Sequence, residues 1–275
     1  MGLRIATNMA SIASQRALGA QTKRQEHASQ ALASGSRIVR ASDDAAGLAI
    51  AEGMKSEIRG TAMARNNAFN AISAIQVGEG GLAETTNLLT RLRELGVQSA
   101  SDTIGDKERA YLQQEAGSIS EEIDRIAKTT KFGDKNLIDG SNPIFEFHVG
   151  TNAGKENIIT FKSDGSATAA ELGIDSVDIS AKSGARDLLT NLDQALAKVS
   201  KFRAGFGAMQ SRLESTVNGL DLRSENLSAA RSRISDSDVA KESSELASAN
   251  MLQQASISVL SQANQQPMVA MKLIG

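Results

Sequence analysis

Gly78-Glu79-Gly80-Gly81-Leu82-Ala83 is the first stretch of this chain whose residue types could do chemistry. Its glycines fit the GxGxxA turn that lets backbone approach a dinucleotide pyrophosphate. That turn works only between a β-strand and the start of a helix. The preceding residues, Arg65 to Val77, have helical apolar spacing and include Asn66-Asn67, so a helix break or a close helix contact is expected instead. Asp43-Asp44 and Asp236/Asp238 are candidate carboxylate pairs for a metal or for acid–base work. Neighbouring side chains on a helix do not converge, and each pair precedes an apolar-periodic segment, so both read as helix caps. His27 lies among Lys23, Arg24, Gln25 and Glu26, and His148 lies on a polar face; neither has a carboxylate at ligand spacing, so both read as solvated. Asn226-Leu227-Ser228 matches a glycosylation sequon by chance inside a helical pattern. Arg223, Arg231 and Arg233 are balanced by Asp221, Glu225 and Asp236, which reads as an ion-paired or solvated helix face. No catalytic constellation, cofactor site or metal site is left, and no cofactor is expected.

Composition removes further classes. With 30 Lys+Arg against 32 Asp+Glu the chain carries a net charge of −2, without the basic excess of a nucleic-acid binder. There is no cysteine, hence no disulfide, zinc-thiolate site or cysteine nucleophile. Tyr111 is the one tyrosine and tryptophan is absent, while Ala, Leu and Ile dominate the apolar residues. A globular enzyme core leans on large aromatics; this composition suits long helices laid side by side. No apolar run approaches the roughly 18 residues needed to span a bilayer, and residues 1–20 hold no continuous apolar run of signal-peptide length. Neither membrane insertion nor a cleavable signal is therefore expected.

What remains is architecture. The two ends are alike: Ile5, Met9 and Ile12 near the start, and Leu252, Ala255, Val259 and Ala263 near the finish, form narrow stripes in Ala/Ser/Gln-rich surroundings. Each end predicts a helix that is marginal alone and could form coiled-coil seams with the other end or with copies of itself. Between them, a pattern from about Asp43 to Ala100, interrupted near Gly78, carries Ile50, Met54, Ile58, Ile72, Ile75, Leu88, Leu92 and Leu95. A second begins near Asp106 as its N-cap and runs through Leu112, Ala116, Ile119, Ile123 and Ile126. The third extends from Leu192 to Ile234. Helices of that length predict an elongated antiparallel rod. Phe145, Phe147 and Val149 alternate with Glu146 and His148, and Ile159 and Phe161 resume after a turn, so one β-hairpin is expected at about 143–162. Phe145, Phe147, Ile159 and Phe161 should face the helices, and Glu146, His148 and Thr160 outward. The Asp/Ser/Thr-rich residues 163–184 read as an exposed connection. The fold class is mainly α: an antiparallel helical rod and coiled coil with one small hairpin and paired N- and C-terminal helices.

Several runs resemble bacterial flagellin. They are Arg65-Asn66-Asn67-Ala68-Phe69-Asn70-Ala71-Ile72-Ser73-Ala74-Ile75-Gln76-Val77, then Thr90-Arg91-Leu92-Arg93-Glu94-Leu95-Gly96-Val97-Gln98-Ser99-Ala100. Gly35-Ser36-Arg37-Ile38 and Asp43-Asp44-Ala45-Ala46-Gly47-Leu48-Ala49-Ile50-Ala51 are similar to the link between that family's inner domains. Glu225-Asn226-Leu227-Ser228-Ala229-Ala230-Arg231-Ser232-Arg233-Ile234 and Gln262-Ala263-Asn264-Gln265 resemble its carboxy-terminal half. The resemblance covers nearly everything except about 163–184 and lacks the variable outer domains of long flagellins.

The resemblance implies a non-enzymatic subunit that polymerises into the flagellar filament, the helical propeller of swimming. It implies an inner coiled-coil domain of residues 1–42 and 236–275, with Ile5, Met9, Ile12, Leu252, Ala255, Val259 and Ala263 in assembly, and an outer rod of residues 43–235. The partners it implies are other copies of the chain, the flagellar type III export apparatus, an export chaperone, and the filament cap and junction proteins. It also implies contact between Arg91, Leu95 and Glu115 and a vertebrate Toll-like receptor, and an extracellular location reached without a cleavable signal. A hook–filament junction protein shares the termini and the export route and stands as an alternative; a nucleotide-dependent enzyme built on the Gly78 region is the alternative from another class.

Overall fold

The computed structural model describes residues 7–142, 144–162 and 165–272, with side chains as far as Gln265. Six helices carry the fold: α1 Met9–Ser34, α2 Ala45–Ser99, α3 Asp106–Thr129, the short α4 Ala169–Leu172, α5 Lys182–Ser235 and α6 Val239–Lys272. Two antiparallel strand pairs complete it: β1 Lys131–Phe132 with β2 Lys135–Asn136, and β3 Ile144–His148 with β4 Ile158–Lys162. Sequence periodicity anticipates the mainly α class and the second pair. It misses the first, because two-residue strands carry no alternation. Gly133, at φ 60°, supplies the positive φ that a two-residue hairpin turn takes at its first position.

The chain divides into two units, residues 1–57 with 226–275, and residues 58–225. In the first unit, Asn8 Nδ2 donates to the Ala263 carbonyl (2.8 Å), Ser11 Oγ to Asn264 Oδ1 (2.9 Å) and Gln253 Nε2 reaches Thr22 Oγ1 (3.5 Å). Early residues of α1 thus meet late residues of α6, so the terminal helices pair antiparallel. Gly35 ends α1 in the left-handed region (φ 67°). Beyond it Ser36 bridges to Asp236, Arg37 N donates to the Ser235 carbonyl (2.8 Å), and Arg37 Nη2 to the Ile234 carbonyl (2.8 Å).

One member of each acidic pair acts as the expected cap. Asp44 Oδ1 accepts from Gly47 N at the start of α2 (2.8 Å), and Asp238 Oδ1 from Ala240 N at the start of α6 (2.9 Å). Asp43 folds the preceding loop instead: its Oδ2 accepts from Arg40 N (2.8 Å) and Val39 N (3.2 Å). The same oxygen lies 3.3 Å from His27 Nε2. His27, expected to be solvated, is therefore half-buried beside a carboxylate brought in from 16 positions away by the turn between α1 and α2. Those backbone amides, Arg40 first, then Val39, and His27 after them, hold the Asp43 carboxyl below its ordinary range against the opposing effect of burial. The α3 N-cap is Gly105 rather than Asp106, which is the first helical residue and contributes its charge to the helix dipole.

In the second unit, Leu82, Leu89, Leu92 and Leu95 of α2 pack with Ile119 and Ile123 of α3 and with Leu192, Val199, Phe206 and Leu213 of α5. The Gly78–Gly81 stretch neither breaks α2 nor opens a turn. A Cβ on Gly78 would stand 3.2 Å from the Phe206 ring, and one on Gly81 would stand 2.6 Å from Thr130 Oγ1. The glycines permit close approach of neighbouring elements, and no strand precedes them.

The main hairpin pairs Phe145 with Phe161, Glu146 with Thr160 and Phe147 with Ile159. Phe145 and Ile159 are buried, Phe147 and Phe161 half-buried, and Glu146, His148 and Thr160 exposed, in the expected register. Residues 165–184 depart from expectation. Instead of an exposed connection they bury Ala167, Leu172, Ile174 and Ile179. Gln113 clamps them from α3, donating Nε2 to the Val177 carbonyl and accepting from Ile179 N, both at 2.6 Å. Ser120 Oγ donates to the Ile174 carbonyl (2.7 Å) and Ser99 Oγ to that of Ile179 (2.6 Å). With Ala169 these make five buried apolar side chains among many polar ones, and they suffice because partner helices satisfy the backbone of the segment.

Candidate assembly surface

The α1–α6 seam is built from small and polar residues. On α6 a four–three series of buried or half-buried positions runs through Glu242, Leu246, Ala249, Gln253, Ser256, Leu260 and Ala263, with half-buried Asn250 beside it. On α1 a three–four series runs through Ser11, Ser14, Leu18, Gln21, Gln25, Ala28 and Leu32, with Thr22, His27 and Ala31 also buried or half-buried beside it. Both are heptad patterns. Leu18, Leu32, Leu246 and Leu260 are the large apolar residues of these two series, so the pair is held by close backbone approach and a few hydrogen bonds rather than by a broad hydrophobic stripe.

The large apolar residues of these helices lie elsewhere. Met9, Ile12, Met251, Leu252, Ile257 and Val259 keep between 37% and 65% of their surface exposed. At 100° per residue, Leu252 and Val259 flank the seam of α6 on one side, Ile257 flanks it on the other, and Met251 lies behind. Met9 and Ile12 fall on the side of α1 opposite its seam. Large apolar residues thus stand on several sides of α6, interleaved with Ser and Gln, as suits a helix with neighbours on several sides. One partner helix covers only one of those sides.

A second candidate surface lies in the other unit. Arg91 Nε and Nη2 donate to Glu115 Oε1 (3.0 and 2.8 Å), and Nη1 donates to Glu94 Oε2 (2.9 Å). These carboxylates, Glu94 first, raise the Arg91 pKa above its ordinary value. Arg91 and Glu115 are both exposed. Leu95 is 1% exposed, sealed in the core beneath them.

Two family models cover most of the chain: the bacterial flagellin N-terminal helical region matches residues 5–143, and the bacterial flagellin C-terminal helical region matches residues 189–274. The chain belongs to the bacterial flagellin family. Among its relatives, a flagellin of Halalkalibacterium halodurans is 42% identical over 269 residues, spanning 97% of this chain and 98% of that one. The flagellin of Bacillus subtilis is 38% identical over 99% of this chain and all of its own length. A flagellar filament 33 kDa core protein of Treponema phagedenis is 40% identical over 97% of this chain and 98% of its own. The crystal structure of Bacillus cereus flagellin superposes with a TM-score of 0.50 at 25% identity, covering 56% of this chain and 88% of that one. The chain is a short-form flagellin without variable outer domains, and its function is structural: a filament subunit for motility.

The structure places the expected assembly residues unequally. Met9, Ile12, Leu252, Ala255 and Val259 are exposed, and Ala263 alone joins the α1–α6 seam. Ile5 lies outside the described residues. Arg91 and Glu115 are brought together as a surface ion pair, whereas Leu95 is corrected from receptor anchor to core residue, because its own Leu88-Leu92-Leu95 period turns it inward. Reading only the most apolar stripe of α6 hid the actual seam. The strict four–three spacing of Leu246, Ala249, Gln253, Ser256, Leu260 and Ala263 is the signal that finds it. The same fixation on one stripe left out Met251 and Ile257.

Proposed function

We propose that the exposed faces of α1 and α6 are the assembly surface of this flagellin, covered in the filament by the same helices of neighbouring copies. The observation that carries this is the distribution of apolar residues around α6, which calls for neighbours on several sides. Met9, Ile12, Leu252, Ala255 and Val259 leave water on assembly, and Ala263 keeps the intrachain pair close. The small and polar seam makes the pair marginal in a free chain, where ordering each residue costs about 1–2 kcal/mol of backbone entropy. Residues 1–42 and 236–275 therefore order fully only on incorporation, as an inner domain, with residues 43–235 forming the outer one. Such coupling keeps chains from polymerising before delivery.

Family membership supports the rest of the life cycle. The chain leaves the cell unfolded through the flagellar type III apparatus without a cleavable signal, is held beforehand by an export chaperone, and is laid down beneath the cap beyond the junction proteins. It performs no covalent chemistry. The Arg91–Glu115 surface is where a vertebrate Toll-like receptor would dock, with Leu95 acting only by supporting that surface. Seeded elongation followed by negative-stain microscopy tests the assembly reading. Full-length chain extends seeds, and a 43–235 chain stays folded and does not; extension by the truncated chain would refute it.

A further inference from the structure

Among the described side chains, two thioethers stand on the faces that assembly is to cover. Met9 on α1 is 65% exposed and Met251 on α6 is 64% exposed. Each lies on the side of its helix away from the intrachain seam, so nothing within the pair shields the sulfur. Gln253 reaches Thr22 while Asn8 and Ser11 reach Ala263 and Asn264, which sets the two methionines at separate levels along the pair. Met209, by contrast, is buried in the core of the other unit, and Met63, on the part of α2 that belongs to that unit, is 60% exposed.

We propose that Met9 and Met251 are oxidation sites that bar an unincorporated chain from assembly and become protected once the chain is incorporated. The inference rests on reading the outer faces of α1 and α6 as the assembly surface. The oxidant class is a peroxide. A sulfur lone pair attacks one peroxide oxygen, the O–O bond breaks, an S–O bond forms, and with hydrogen peroxide the other oxygen leaves as water. Sulfur gives up two electrons and the peroxide is reduced by two. A flexible apolar side chain thereby becomes a polar, chiral one that accepts hydrogen bonds and donates none. Met9 and Met251 stand beside Ile12 and Leu252, large apolar residues that assembly is to cover, and a sulfoxide carries into that contact a desolvation cost the thioether does not have. A polar group of that kind weakens addition of the subunit by about tenfold or more.

The test uses full-length chain, treated with hydrogen peroxide to about one sulfoxide per molecule, then offered to seeds and centrifuged. Peptide mass spectrometry reads each methionine in pellet and supernatant. Sulfoxide at Met9 and Met251 is expected to be depleted about tenfold in the pellet, with Met63 sulfoxide divided evenly. Methionine sulfoxide reductases should return the soluble fraction to competence, and preformed filaments under the same peroxide should oxidise about tenfold more slowly at both sites. Even partition at Met9 and Met251, equal depletion at Met63, or equal oxidation rates in filament and free chain would overturn the proposal. Failure of untreated chain to extend seeds would instead remove the assembly reading, and the proposal with it.

Discussion

Truncating Leu252 and Val259 to alanine together isolates the assembly face from the fold. Leu252 is 47% exposed and Val259 53% exposed in the single chain. Full burial of such a side chain is worth about 1.5–3 kcal/mol. Roughly half of that remains to be gained when a neighbour closes over each residue, or about 1 kcal/mol apiece. Removing both costs roughly 1.5–2 kcal/mol per added subunit, which raises the free-chain concentration at which growth stops about 10–30-fold. Neither residue belongs to the α1–α6 seam or to the core of the other unit, so the melting temperature of the free chain should hardly move. The assay is sedimentation of seeded filaments across a concentration series, paired with thermal melting of the unassembled chain. A concentration limit unchanged within about twofold, with melting also unchanged, would refute the assignment of this flank of α6 to subunit contact.

Hydrogen exchange on verified monomer should be fast across α1 and α6 and slow across Leu192 to Leu220; slow exchange at both ends would sink coupled folding. Phe145→Ala, at a buried hairpin position, should cost about 3–5 kcal/mol in chemical denaturation, and half-buried Phe147→Ala clearly less; unchanged stability in both variants would mean the hairpin register is off by one residue. Leu95→Ala should destabilise by about 2–5 kcal/mol through its core cavity. Arg91→Ala should leave melting almost unchanged while weakening a Toll-like receptor reporter, and an undiminished response would rule out that surface. Because the Asp43 carboxyl is held below its ordinary range, its contribution is present above the unfolded-state value near pH 4 and disappears as pH falls through the lower folded one. Exchange protection of residues 36–44 should therefore exceed that of Asp43→Asn at pH 7 and match it near pH 2; a difference that persists in acid would refute the linkage.

Local periodicity determined a good deal by itself. A helical repeat needs only its own residues to be visible, so Leu192 to Ile234, Ile119 to Ile126 and the Leu88-Leu92-Leu95 run were legible as buried faces, and Leu95 is core for that reason. Alternation did the same for Phe145 to Val149, and the acidic pairs before α2 and α6 announced their caps at Asp44 and Asp238. Other features depend on a partner distant in sequence. Residues 165–184 are polar enough to read as a loop until Gln113, Ser120 and Ser99 supply the hydrogen bonds that let Ile174 and Ile179 go inside. His27 gains its carboxylate only when the 36–44 turn brings Asp43 back to it. On α6 two stripes share the helical period, and the helix alone does not choose between them. The intrachain partner took the one with Ala249, Gln253 and Ser256, because small side chains admit the close approach of a second backbone. That choice left Leu252 and Val259 facing water.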